Sequence, residues 1–242
     1  MMIEQRLSQD RGYADHGWLQ AYHTFSFARY WDPEQIGFSD LLVINDDQIA
    51  PGRGFGTHPH KNMEIFTYIL DGALEHKDSM GNGSVIKVGD IQLMSAGSGI
   101  THSEFNPLDT QSTHSLQIWI MPNEENSEPT YQQQFISQDE KKGKLKLIIS
   151  PDGADNSLHI RQDIRIYSGL FNDKEQAIFT IPENRYVYLH VAKGSLTVNN
   201  LVFQAGDGAR IRDEQQLTFS YGQEAEILLF DMRPVETNYP KI

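Results

Sequence analysis

The sequence predicts an all-β protein built as two tandem β-barrels. Short runs rich in Val, Ile, Phe, Tyr and Thr recur along the chain, separated by Gly, Asn and Asp, while helical periodicity is scarce. Many short strands at that spacing build sandwiches and barrels. The chain also echoes itself. Residues 68–75 resemble 189–197: each is a strand, a turn glycine (Gly72, Gly194) and a second strand. Each copy then meets a Gly-Asp turn, Gly89-Asp90 and Gly206-Asp207, that opens another strand. Self-similarity of this kind marks two related units in tandem.

Taken in order, strands are expected at 24–30, 41–45, 65–70, 115–121, 145–149, 186–191 and 226–231, each an apolar or β-branched run bounded by turn residues. A short helix is expected near 134–141 or 162–169. The polar stretch 123–144, rich in Glu, Gln and Lys, reads as the connection. It divides the chain into a first unit at 1–125, a connecting segment at 126–144 and a second unit at 145–242. The aromatic series Phe25, Phe27, Tyr30 and Trp31 reads as core.

Composition narrows the function classes. The chain has no cysteine, which excludes disulfides, thiolate metal ligands and a cysteine nucleophile. Its net charge of −13 argues against nucleic-acid backbones and anionic lipid as partners, and its plainest meaning is solubility. Apolar runs such as Leu41-Leu42-Val43-Ile44 are too short to span a bilayer. Residues 1–15 are polar and lack the apolar core of a secretory signal, so a soluble cytoplasmic protein is expected.

Two short pairings carry the chemistry: His58-Pro59-His60 and His102-Ser103-Glu104. On a strand, side chains two apart share a face, so two facing strands would bring three imidazoles and a carboxylate together. Such a set suits a divalent transition metal, and the carboxylate favours Fe(II) or Mn(II) over Ni, Cu or Zn. Four ligands leave two octahedral positions open for substrate or dioxygen. Pro59 cannot donate to a ladder, which places its strand at an edge or bulge. A lone His-x-His is more often a surface or hydrogen-bonded pair. Here glycines flank both pairings, at 52, 54 and 56 and at 97 and 99, and allow close backbone approach. Glu64, four residues beyond His60, shares the ligand face of a continuous strand and competes with Glu104 as ligand or orients a histidine. His76, in a polar hairpin, reads as solvated, His114 as structural, and His16 and His23 as hydrogen-bonded packing residues. Counting back from Gly194 as from Gly72 reaches Thr180 and Pro182 instead of histidines, so the metal belongs to the first unit. Gly52-x-Gly-x-Gly56 lacks the Lys-Ser/Thr of a phosphate loop, and no nucleophile elbow surrounds Ser98.

These residues resemble a known family. Gly52-x5-His58-x-His60-x3-Glu64, with a later glycine at 72, is similar to the first cupin motif with its last spacing one residue longer. Gly89-x5-Ser95-x-Gly97-x4-His102-x3-Asn106 is similar to the second, with Ser95 where cupins often carry proline and a longer gap before the histidine. Those departures are the ones found in pirins. Trp18-x4-His23-Thr-Phe-Ser-Phe27 and Leu116-Gln-Ile-Trp119 also look like pirin signatures, and the resemblance covers nearly the whole chain. It implies a bicupin of two jelly-roll-like barrels, the first bearing metal and the second degenerate. It implies His58, His60, His102 and Glu104 as ligands of Fe(II), with Glu64 demoted to a supporting position. It further implies quercetin 2,3-dioxygenase activity on a flavonol-like substrate and O2, with Glu104 doubling as base. The competing readings are an iron-dependent redox sensor that a protein partner reads, and a cupin acting on another small oxygenated metabolite.

Overall fold

The computed structural model describes residues 2–237, and their strands form three sheets. One sheet of seven strands runs, in spatial order, Thr130–Phe135, Asp90–Ser95, Glu64–Asp71, Thr113–Ile120, Leu41–Ile49, Leu19–His23 and Gly12–Asp15. A sheet of four runs Gly54–His60, Ile100–Phe105, Ala73–Asp78 and Gly83–Lys87. These two make the first barrel. A nine-stranded sheet centred on the long strands Tyr186–Val198 and Gln216–Met232 makes the second. The all-β, two-barrel expectation is met.

Several local expectations are corrected. Residues 24–30 are not a strand: after His23 the chain closes a tight turn in which Phe27 and Tyr30 exchange backbone hydrogen bonds, with Ala28 at φ 51°. Residues 162–169 are not helical either. Ile164–Phe171 is a strand, because Ile164 and Ile166 bury in the core between the barrels while the backbone pairs with Gln216–Met232. The other helical expectation holds: Gln138–Lys141 is one helical turn, with Ser137 and Glu140 forming a capping box. The expected connection is itself partly sheet, since Thr130–Phe135 pairs with Asp90–Ser95. In turn, the opening strand Met2–Arg6 pairs with Gly208–Arg212 of the second barrel. Among the described residues, no helix is long and apolar enough to cross a membrane.

Period-two alternation explains how the fold positions the site. The facing sheets of the two barrels are buried on both sides. Leu116, Ile118, Ile120, Phe66 and Tyr68 meet Tyr188, Leu228 and Phe230 in one core between the barrels. The intervening residues of the same first-barrel strands, Thr67, Gln117 and Trp119, therefore point into the first barrel. A buried polar cluster seals the interface: Lys141 Nζ donates to the Tyr68 hydroxyl at 2.8 Å and lies 3.1 Å from Glu226 Oε1.

Candidate metal centre

The two histidine-bearing strands are antiparallel neighbours, with His102 opposite His58 and Ile100 opposite His60. Gly54–His60 is the edge strand of its sheet, as the missing N–H of Pro59 requires. The ladder shifts register between His102 and Glu104. The rings of His58, His60 and His102 sit 4.5–4.8 Å apart, centroid to centroid. Their ligand atoms all lie within 4.8 Å of one another. Glu104 belongs to a second, overlapping trio with His76 and His102 under the same limit, so His102 joins the two groups.

Hydrogen bonds assign the free lone pairs. His58 Nδ1 lies 2.8 Å from the Gly56 carbonyl, to which it donates, leaving Nε2 free. His102 Nδ1 lies 3.4 Å from His76 Nδ1, and His76 Nε2 lies 3.2 Å from Asp78 Oδ2. One arrangement satisfies every group: His102 donates to His76, and His76 donates to Asp78. His102 Nε2 is then a bare lone pair. It is buried with no hydrogen-bond partner, and so is Glu104 Oε1. Burial pushes the His60 imidazolium pKa down to about 4 and that of His102 to about 2, neighbouring histidines adding to the effect, so both rings stand neutral. Burial raises Glu104 to about 7, against the opposing hydrogen bond from Gln117. Neutral imidazoles with unused lone pairs, next to a buried carboxylate oxygen without a partner, fit a divalent first-row metal.

Two supporting residues differ from expectation. Glu64 is not on a continuous strand with His60, because a turn with Asn62 at φ 50° intervenes. Its Oε2 accepts from Ser95 Oγ at 2.8 Å and lies 3.5 Å from the Arg161 backbone N, so it ties the barrels together and touches no histidine. The orienting role falls to Gln117, whose Nε2 donates to Glu104 Oε2 at 2.9 Å while its Oε1 accepts from Thr67 Oγ1. His76 is not solvated but fully buried, opposite Glu104 in the ladder. The alternation from Leu74, which lies in a core cluster, to His76 on the same face was the signal for it. His114 pairs with Asp46 at 2.7 Å and is structural as expected. His23 is buried with Nδ1 2.7 Å from Asn45 Oδ1, whereas His16 is exposed at the rim of the cavity.

The site opens on a cavity of about 740 Å3 inside the first barrel, walled by His58, His60 and Glu104 on one side. Phe27, Tyr30, Phe55 and Trp119 supply aromatic walls. Of the aromatic series expected in the core, Phe25 is fully buried there and Phe27 packs against a core cluster while also lining the cavity; Tyr30 lines the cavity with it, because the turn after His23 swings both over it, and Trp31 is exposed. Trp119 stands edge-on to both Phe27 and His60, at 5.4 and 5.0 Å between centroids.

Comparison with known proteins agrees with this geometry. A family model described as Pirin matches residues 4–120, and one described as Quercetinase C-terminal cupin domain matches 147–232. A relative in Escherichia coli K12 named Quercetin 2,3-dioxygenase is 48% identical over 97% of this chain and 100% of its own length. The chain belongs to the pirin family. A Pirin-like protein of Caulobacter vibrioides is 41% identical over 95% of this pirin and 99% of its own length. The crystal structure of the bacterial pirin YhhW from Escherichia coli in complex with nickel(II) is 47% identical. It superposes with a TM-score of 0.92 over 97% of this chain and 100% of that one.

Proposed function

We propose that this pirin is a metal-dependent dioxygenase that opens the heterocycle of a flavonol, as the name of its Escherichia coli relative describes, and that its metal is Fe(II). The observation that carries the reading is the coincidence of a metal-fitting donor set with a cavity of small-molecule size and aromatic walls. His58, His60, His102 and Glu104 would hold the ion. Nickel in the related YhhW structure supports a divalent cation, and the nitrogen-rich set with one carboxylate suits iron. When bound, the ion supplies Lewis acidity that lowers the pKa of a coordinated hydroxyl and brings substrate and dioxygen together.

The chain's own groups do the rest. Phe27, Phe55 and Trp119 bind the flat rings and exclude water. Glu104, a buried carboxylate beside the bound hydroxyl, accepts the proton of the flavonol 3-hydroxyl. Gln117 holds the Glu104 carboxyl in place through this transfer. Both atoms of dioxygen enter the product, the heterocycle opens to an ester, and carbon monoxide leaves. Fe(II)-loaded protein mixed with quercetin in air should consume the flavonol absorbance and release one carbon monoxide per flavonol. His58→Ala should lose that turnover. A rate no greater than that of free iron, or a fully active His58→Ala protein, refutes the proposal.

A further inference from the structure

The cavity holds a second carboxyl that the ligand set does not use. Asp47 lies on Leu41–Ile49, two residues after Asn45 and two before Ile49, so the three side chains share the inward face. Asn45 is engaged by His23, and Ile49 packs with Leu19, Ala21 and Leu74. Asp47 is only 5% exposed and lines the cavity that also holds His58, His60 and Glu104. Among the described residues its carboxyl has no hydrogen-bond or ion-pair partner. Its neighbour Asp46, by contrast, is held by both Arg11 and His114. A buried carboxyl left unpaired is costly, and the cavity is where its partner has room to sit.

We propose that Asp47 is a specificity-determining residue that hydrogen-bonds the vicinal hydroxyls of a catechol ring on the substrate. The inference rests on the flavonol reading above and names the substituent that reading leaves open. Chemistry selects the hydroxyl pair. An ammonium group requires an ionised carboxylate, and burial together with Asp46 and Glu104 holds Asp47 well above the usual carboxylate range. A neutral carboxyl offers one acceptor and one donor side by side. Adjacent phenolic hydroxyls offer the complementary pair.

The test is binding rather than turnover. Ni(II)-loaded protein under nitrogen is titrated with quercetin, which carries the catechol, and with 3,5,7-trihydroxyflavone, which differs from it only in lacking the two catechol hydroxyls. Wild type should favour quercetin by about tenfold more than Asp47→Leu does, with 3,5,7-trihydroxyflavone affinity the same in both. Asp47→Asn, which keeps an acceptor and a donor, should retain most of the preference. Asp47→Ala, smaller than the native residue, gives the same reading should leucine not be accommodated. An unchanged quercetin preference in Asp47→Leu or Asp47→Ala overturns the role of Asp47 and leaves the flavonol reading standing. Failure of wild type to bind either flavonol overturns both.

Discussion

His76 is the residue whose removal should report most directly on the metal centre. Replacing it with leucine deletes the partner of His102 Nδ1, 3.4 Å away, and the link onward to Asp78. Asp78 is not stranded by the change. Its Oδ1 still accepts from the Met80 and Asn82 backbone N–H groups, and its Oδ2 from Asn82 Nδ2, all at 2.9–3.0 Å. The loss is therefore confined to the orientation and tautomer of His102. Outer partners of metal-bound histidines are worth about 10–100-fold in affinity, or about 1.4–2.7 kcal/mol. Anaerobic competition of the protein with a chelator for Ni(II) should show His76→Leu weakened by that factor. His76→Gln, able to accept from His102 and donate to Asp78, should recover part of it. Nitrogen NMR of the Zn(II)-loaded protein should place the His102 proton on Nδ1 in wild type. A folded His76→Leu protein that binds within twofold of wild type would refute the relay.

Two further outcomes follow from buried groups outside the cavity. Lys141→Met leaves Glu226 with the Tyr68 hydroxyl and, at 3.9 Å, Lys193 as its sole cation, and should cost about 3 kcal/mol in urea unfolding. The double variant with Glu226→Met should regain most of that loss, and a neutral single variant would contradict it. His190 is fully buried with neither ring nitrogen bonded, and burial lowers its pKa from 6.5 to about 4. The unfolded chain takes up this proton below pH 6.5 and the folded one does not, so stability should fall by about 3 kcal/mol as pH drops from 6.5 to 4. His190→Phe should lack that share of the decline in urea unfolding compared at pH 7.5 and 4.5, and parallel losses in the two proteins would count against it.

What was legible in the sequence was periodic. His58, His60, His102 and Glu104 stand two apart on strands; regular alternation aims the first pair at one face, while the second pair spans a register shift between His102 and Glu104 that alternation does not foresee. Pro59 announced an edge strand because its missing N–H has no other place in a sheet. What escaped was set by long-range pairing. Glu64 reads as a continuation of the His58–His60 face until a turn breaks the strand, after which it serves the interface between barrels. His76 reads as solvated among Glu75, Lys77 and Asp78 because local polarity masks the inward alternation from Leu74. Gln117 carries no chemical signal of its own. Its role exists only because Thr113–Ile120 lies beside Glu64–Asp71, which sets Thr67 opposite it. Phe27 and Tyr30 line the cavity through a turn that β-propensity does not foresee.

The internal echo explains why one barrel has a chemical interior and the other does not. Aligned on Gly72 and Gly194, Thr67 corresponds to Leu189 and His76 to Val198, while Leu74 corresponds to Leu196. The same inward positions are thus polar at two of three places in the first barrel and apolar throughout in the second. Leu189, Leu196, Val198, Phe203 and Phe219 are fully or almost fully buried in one cluster that fills the second barrel. The outward faces of its long strands then brace the first barrel through Tyr188, Leu228 and Phe230. This burial offsets the cost of the unpartnered polar atoms that the first barrel keeps, at His102 Nε2 and Glu104 Oε1. A barrel that must stay open and polar for chemistry is held in shape by one that is packed.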